Sequence, residues 1–119
     1  MYAVVRQDLE MPPGKLSAQA GHAYTESLFD CLDKRPQDAE RYRRKVNAGS
    51  KVTLYCKNES AILELQHHCK AAGVPHALFT DDGHVMLPHF DGSPVVTALG
   101  LGPLTRAEAK PLVKKFKCV

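Results

Sequence analysis

A cation, an amide and an imidazole occur at helical spacing near the start of the chain. Lys15, Gln19 and His22 are separated by four and then three residues, so an α-helix would place their side chains on one face. Gly14 precedes the lysine at the start of this helix, where free backbone N–H groups and the helix dipole attract a phosphate or an oxyanion. Gly21 weakens a helix interior, which predicts close packing or ligand access at that position. The segment therefore predicts an anion site, with a solvated lysine and a histidine packed on the sheet as simpler alternatives.

A second group of polar residues follows the strand predicted at residues 76–80. Asp81 and Asp82 stand at the end of this strand, beside Gly83. A carboxylate near a lysine can act as a general base for water or hold the lysine in position, and glycine lets the backbone approach a ligand. An ordinary Asp-Gly turn is the alternative interpretation.

The histidines and cysteines form no recognised metal-binding pattern. The chain has six histidines and four cysteines, but no C-x-x-C pair and no histidine spacing that matches a zinc site. We therefore predict no cofactor, and we expect the cysteines to be reduced, mostly buried thiols of a cytoplasmic protein. No apolar run approaches the length needed to cross a bilayer, and no leader pattern is visible, so neither membrane insertion nor export is predicted.

Positive charge is concentrated in one segment. The 119 residues carry a net charge of +3, with 44% hydrophobic and 24% charged residues, as is ordinary for one globular domain. Residues 34–51 contain seven cations and two anions, so the rest of the chain has a net negative charge. Such a patch favours a polyanionic partner, although a solvated helix face would have the same composition. Its central cations are Arg41, Arg43, Arg44 and Lys45.

Hydrophobic periodicity and end signals predict four strands and four helices. Strands are predicted at residues 2–5, 52–56, 76–80 and 95–101. Helices are predicted at residues 14–33 and 38–48 and after the caps Asn58 and Thr105. Residues 81–94 are rich in turn-forming residues and predict a long irregular connection. The order β-α-α-β-α-β-β-α predicts that residues 1–119 form a single layered α/β/α domain with a four-stranded mixed sheet.

Several short motifs occur in a fixed order along nearly the whole chain. The most specific runs from the first strand into the first helix: Val4-Val5-Arg6-x-Asp8-Leu9-x-Met11, then Gly14-Lys15-x-x-Ala18-Gln19-x-x-His22-Ala23. Weaker motifs follow: Lys51-Val52-x-Leu54, Ala72-Gly73-x-Pro75, Asp81-x-Gly83, and Gly102-Pro103 before a lysine-rich C-terminal helix. Together these motifs resemble those of the type II peptidyl-tRNA hydrolases.

This resemblance implies a compact, often dimeric α/β enzyme that hydrolyses the ester joining a peptide to the 3′ end of tRNA without a metal ion. It implies catalytic roles for Lys15, His22 and Asp81. Lys15 would hold a phosphate or stabilise the oxyanion, Asp81 would activate water, and His22 with Gln19 would orient these groups. The residues expected to bind the substrate are Gly14, Gln19, Gly83, His84, Arg41, Arg43, Arg44 and Lys45. The expected partners are peptidyl-tRNA and a second copy of the chain.

The chain departs from the family pattern immediately after Gly83. His84, Val85 and Met86 stand where the family usually has Arg or His, then Thr, then Gln or Glu. Valine has nearly the shape of threonine but lacks its hydroxyl group, so a hydrogen bond from that position is lost. Two alternatives therefore stay open: a non-catalytic tRNA- or RNA-binding protein of the same fold, and a small-molecule hydrolase or metabolite-binding domain.

Overall fold

A computed structural model of the protein describes residues 1–46 and 49–119. Its strands are β1 (Tyr2–Arg6), β2 (Val52–Cys56), β3 (His76–Asp81), β4 (Val85–Met86), β5 (Phe90–Asp91), β6 (Val95–Leu101) and β7 (Lys117–Cys118). Its helices are α1 (Pro13–Lys34), α2 (Pro36–Arg43), α3 (Glu59–Ala72) and α4 (Arg106–Val113). Among the described residues, no helix combines the length and the apolar character needed to span a membrane.

The main sheet is mixed and has the order β3-β6-β1-β2-β7. Strand β1 runs parallel to β2, and the other neighbouring pairs are antiparallel. Since β6 is antiparallel to both β1 and β3, the C-terminal ends of β1 and β3 lie at the same end of the sheet. Arg6 and Asp81 therefore both lie at that end.

The predicted sheet lacks one of the observed strands. The four predicted strands are confirmed with nearly the same bounds, but β7 adds a fifth strand at the edge of β2. Its two residues follow a helix and are too short to show an alternating pattern. The four-stranded description is therefore wrong, while the mixed α/β architecture is confirmed.

Alternate side chains of the strands pack against helices on opposite faces of the sheet. On one face Ala3 and Val5 of β1 join Ala20 and Ala23 of α1 in a buried cluster. On the other face the main buried residues are Val4, Leu54, Ile62, Leu65, Leu99, Leu101 and Leu112. The period of two in β1 thus divides the core into two halves, with α1 on one side and α3 with α4 on the other.

Helix α1 packs in close contact with a glycine of β6. A Cβ atom built on Gly100 would clash with the carbonyl oxygen of Ala23 and would lie 2.9 Å from Cβ of Ser27. At Gly21, by contrast, an added Cβ would meet nothing within 4 Å. Of the two explanations predicted for Gly21, close packing is therefore wrong, and ligand access stays a prediction. The glycine in close contact with α1 is Gly100 of the strand.

Three of the four predicted helices are confirmed, and the second differs at its C-terminal end. The side chain of Asn58 accepts a hydrogen bond from the backbone N–H of Ala61, and Thr105 and Glu108 form the predicted capping box. Helix α2 ends at Arg43 and buries only Ala39, so little apolar surface is available to extend it. The predicted end at residue 48 lies outside the described residues.

The segment between β3 and β6 contains a hairpin. Strands β4 and β5 pair antiparallel, with Val85 opposite Asp91 and Met86 opposite Phe90. Phe90 is 2% exposed and joins the core cluster beneath α1. The prediction of an irregular, unpacked connection at residues 81–94 is therefore wrong, because a single buried aromatic residue anchors the hairpin without any periodic pattern.

Candidate active site

Lys15 and Asp81 form an ion pair between the start of α1 and the end of β3. Nζ of Lys15 lies 2.8 Å from Oδ2 of Asp81. The side chains are only 8% and 16% exposed, so solvent screens this pair less than an ion pair on the open surface. The two residues proposed from sequence as a lysine and its carboxylate partner are therefore in direct contact.

The ammonium group of Lys15 has two further neighbours. Nδ1 of His84 lies 2.8 Å from Nζ, and the centre of the Phe90 ring lies 4.2 Å from the same atom. Because a lysine ammonium can only donate, Nδ1 of His84 accepts this hydrogen bond and the imidazole carries its proton on Nε2. The negative face of the Phe90 ring adds an attractive contact to the cation.

Gln19 is buried one helical turn after Lys15. Its Oε1 accepts a hydrogen bond of 2.5 Å from the hydroxyl group of Thr97, and both residues are almost fully buried. Thr97 falls at a β-bulge, since Phe79 pairs with Ala98 and the next residue of β3 pairs with Val96. The extra residue turns the Thr97 hydroxyl toward α1 and ties the helix to the sheet beside the ion pair.

His22 lies farther along the same helix and contacts the sheet through its ring. Its imidazole stacks on Phe79, with ring centres 4.5 Å apart and planes inclined by 14°. Phe79 and Asp81 are alternate residues of β3, so His22 and Lys15 meet the same face of one strand. Among the described residues, no hydrogen bond joins His22 to Lys15 or Asp81, so His22 is linked to the site only through its ring contact with Phe79.

The two candidate glycines have different surroundings. Gly14 lies in the first turn of α1 with nothing within 4 Å of an added Cβ, so the helix start is open in front of it. Gly83 has a positive φ of 78°, and its backbone N–H donates to the carbonyl of Gly92. The N–H of Gly83 is therefore used in closing the hairpin rather than free for a ligand.

Arg6 fixes the neighbouring end of β1. Its guanidinium donates to the carbonyl oxygen of Val96 at 2.9 Å and to both carboxylate oxygens of Asp8 at 3.0 and 2.8 Å. The hydrogen bonds from Arg6 hold the pKa of the Asp8 carboxyl below its usual range. Arg6 thus joins the loop before α1 to β6 close to the bulge.

Within the described part of the chain, no group of three or more His, Cys, Asp or Glu residues is placed to hold a metal ion.

The basic residues of the second helix lie away from the Lys15–Asp81 pair. Helix α2 begins where α1 ends, about 30 Å along the axis of α1 from Lys15 at 1.5 Å per residue. The arginines of α2 and of its C-cap also pair with carboxylates of the helix: Arg41 with Asp38, and Arg43 and the C-cap Arg44 with Glu40 at 3.4 and 2.8 Å. The positive charge predicted for this helix is therefore partly neutralised.

Other cations line a cleft at the end of the sheet that lies opposite Asp81. It is lined by the start of β1 and β2, by Lys45, and by three cations of α4 and its C-cap: Arg106, Lys110 and Lys114. No ion pair neutralises these four cations among the described residues. The sequence segment that carries Lys45 thus meets a second basic element from the C-terminal part of the chain.

Comparison with known proteins identifies the family of the chain. The family described as "Peptidyl-tRNA hydrolase PTH2" matches residues 1–119. The chain belongs to this family. The peptidyl-tRNA hydrolase of Methanocaldococcus jannaschii is 30% identical over 103 residues, covering 87% of this chain and 84% of that protein. That of Methanopyrus kandleri is 37% identical over 100 residues (84% and 80%), and that of Methanococcus maripaludis 32% over 115 residues (96% and 93%).

The resemblance to the peptidyl-tRNA hydrolases drawn from the sequence motifs is thereby confirmed. Sequence reasoning nevertheless missed three residues that shape the site: Phe79, Phe90 and Thr97. Phe90 is an isolated aromatic residue in a turn-rich segment, and Thr97 is one β-branched residue among several in its strand. Neither has a local signal that would distinguish it from an ordinary core residue.

Proposed function

We propose that this member of the peptidyl-tRNA hydrolase family hydrolyses the ester between a peptide and the 3′-terminal ribose of tRNA, releasing both. The observation that carries the proposal is the buried contact between Lys15 and Asp81 at the open start of α1. Ester hydrolysis needs a base that takes a proton from water and a positive group that stabilises the developing oxyanion. These two groups are in contact here.

The hydrogen-bonding positions that remain free on Asp81 and Lys15 suggest a separate catalytic role for each residue. Oδ2 of Asp81 receives Nζ of Lys15, and no hydrogen bond to Oδ1 is formed by the described residues. Oδ1 can therefore accept the proton of the attacking water. The ammonium of Lys15 donates to Asp81 and His84, which leaves its third N–H for the oxyanion of the tetrahedral intermediate. The attacking water would then contact Oδ1 of Asp81, and the oxyanion would contact Nζ of Lys15 in the same ion pair.

The neighbouring residues hold this pair in position. Gln19 fixes α1 to β6 through Thr97, and His84 orients the ammonium from the hairpin side. His22 would contact the substrate rather than exchange protons with Asp81. Gly14 would let the substrate approach the helix N-terminus, and Gly83 would support the site by closing the hairpin.

The lost hydroxyl at Val85 does not remove a group from the pair. Val85 lies opposite Asp91 and is 65% exposed, whereas the adjacent pair, Met86 and Phe90, faces the side of Lys15. A hydroxyl at Val85 would point to the outer face of the hairpin. This placement favours an active enzyme over the non-catalytic alternative.

The tRNA backbone would be held by cations far from the ester. We assign this role to Lys45 with Arg106, Lys110 and Lys114, and secondarily to Arg41, Arg43 and Arg44, whose charges are shared with carboxylates. Such contacts release counterions, so tRNA affinity should fall steeply with added salt. Lys110→Ala and Lys114→Ala should each reduce the slope of that salt dependence.

Two further proposals concern the setting of the enzyme. A cytoplasmic location is supported by the four free cysteines, of which Cys31, Cys56 and Cys69 are buried. A homodimer would cover the outer face of α1, where Phe29 and Leu32 are 52% and 48% exposed. Sedimentation equilibrium of the wild type and of Phe29→Ser would test the dimer, which should dissociate more readily in the variant.

Cleavage of an N-acetylaminoacyl-tRNA tests the function directly. We expect release of free tRNA well above the spontaneous rate, at the same rate with and without EDTA. Release at the spontaneous rate only, together with salt-dependent tRNA binding, would favour the non-catalytic alternative. Absence of both would favour a small-molecule substrate.

A further inference from the structure

The hairpin β4–β5 places an apolar side chain beside the proposed reacting groups. Met86 pairs with Phe90 across the hairpin, and cross-strand partners project from the same face. The ring of Phe90 contacts Nζ of Lys15, so Met86 lies on the face of the hairpin that is turned toward the ion pair. Met86 is 36% exposed, and the next residue, Leu87, is 74% exposed.

The charge of this segment indicates which part of the substrate it meets. Residues 81–93 contain three carboxylates, Asp81, Asp82 and Asp91, and no lysine or arginine. Asp82 and Asp91 are solvent-accessible carboxylates and are ionised at neutral pH. Asp81 is paired with Lys15, but Asp82 and Asp91 have no ion-pair partner among the described residues and repel phosphate groups. The four unpaired cations of the basic cleft lie at the opposite end of the sheet. We therefore expect the hairpin to face the acyl group rather than the phosphate-rich body of tRNA.

We propose that Met86 contacts the side chain of the amino acid esterified to tRNA and gives the enzyme a preference for apolar residues at that position. This inference rests on the proposed function. A methionine side chain is flexible and polarisable, so it can adapt to several apolar side chains of different shape. One well-placed apolar contact of this kind changes kcat/KM by about 10-fold or more.

The test compares two acyl groups on one tRNA. The same tRNA transcript is acylated with N-acetyl-leucine or with N-acetyl-glycine, and kcat/KM is measured for both substrates. The wild type should cleave the leucyl ester about 10-fold faster than the glycyl ester. Met86→Ser should bring this ratio to within about twofold of unity by slowing only the leucyl ester, and Met86→Leu should restore it. Val85→Ser is the matched control because the adjacent side chain lies on the outer face, and its ratio should equal that of the wild type.

The outcomes separate this inference from the proposed function. Cleavage of both esters with equal kcat/KM by the wild type would overturn the inference and leave the hydrolase activity standing. An equal loss on both esters in Met86→Ser would also overturn it, because the residue would then contact the shared terminal adenosine. A wild type that cleaves neither ester would overturn the proposed function and, with it, the role of Met86.

Discussion

Gly100 of β6 lies directly against the backbone of Ala23 in α1, so closely that a Cβ atom on Gly100 would overlap the Ala23 carbonyl oxygen. This contact sets the distance between the helix that carries Lys15 and the sheet that carries Asp81. A displacement of α1 from β6 by even a fraction of an ångström would be transmitted along the helix to the site, because protein interiors are densely packed.

Gly100→Ala should therefore destabilise the protein and lower its activity. The added methyl group forces α1 away from β6, and overpacking of this kind costs about 1–3 kcal/mol or more in the free energy of unfolding. Urea unfolding measures the effect. Gly21→Ala is the control, because its Cβ meets open space and alanine is the better helix former, so it should stabilise by up to about 1 kcal/mol. Equal stability of the two variants would contradict the proposed close contact.

Thr97→Val should lower the free energy of unfolding by about 1–3 kcal/mol, because it leaves the buried Oε1 of Gln19 without a donor. The same urea titration measures this loss. Thr25→Val removes a hydroxyl on the exposed face of α1 that donates to the Gly21 carbonyl, and it should change stability by less than about 0.5 kcal/mol. A similar small effect at Thr97 would show that the bulge does not anchor the helix.

The ion pair between Arg35 and Glu108 should make the free energy of unfolding depend on pH in the acidic range. The hydrogen bond from Arg35 holds the pKa of the Glu108 carboxyl below its usual range. A carboxyl with a depressed folded-state pKa stabilises the fold above its unfolded pKa, near 4.3, and loses that contribution as the pH falls through the folded value. Since both side chains are about one-third exposed, the contribution should stay below about 1 kcal/mol. The difference in stability between wild type and Glu108→Gln should shrink from pH 7 to pH 3; a constant difference would exclude the mechanism.

The cysteines should differ sharply in reactivity. Burial raises the pKa of the Cys56 thiol to about 11 and that of Cys69 to about 12, and it also raises the pKa of Cys31. Only Cys118 is exposed among the four. An aromatic disulfide reagent at pH 8 should therefore label one thiol rapidly in the native protein and four after unfolding. Rapid labelling of two or more native thiols would contradict the buried positions.

The sequence predicted the helix that carries the chemistry better than the loop that completes the site. Periodicity and caps are local signals, so α1, α3 and the four longer strands could be predicted. The contact of Lys15 with Asp81 joins residues far apart in sequence, and the residue types and the motif resemblance suggested the pairing while no local pattern could give its geometry. The hairpin, β7 and the bulge at Thr97 depend on tertiary packing of one or two residues each. Features that depend on one or two residues leave no periodicity and no end signal in the sequence, so they could not be predicted.

The ion pair between Lys15 and Asp81 is the central claim, and single-site variants test it most directly. The measurement is kcat/KM for hydrolysis of N-acetyl-leucyl-tRNA by wild type, Lys15→Ala and Asp81→Asn, with Lys34→Ala as control. Lys34 pairs with Asp30 on the same helix but is 54% exposed and lies at its other end.

We expect Lys15→Ala to lower kcat/KM by about 10²–10³-fold through loss of the oxyanion donor, and Asp81→Asn to lower it by about 10²–10⁴-fold through loss of the base. Folding, followed by circular dichroism, and tRNA affinity should change little in both variants, and Lys34→Ala should hydrolyse at the wild-type rate. Folded Lys15→Ala and Asp81→Asn proteins that hydrolyse the ester as fast as the wild type would contradict the account.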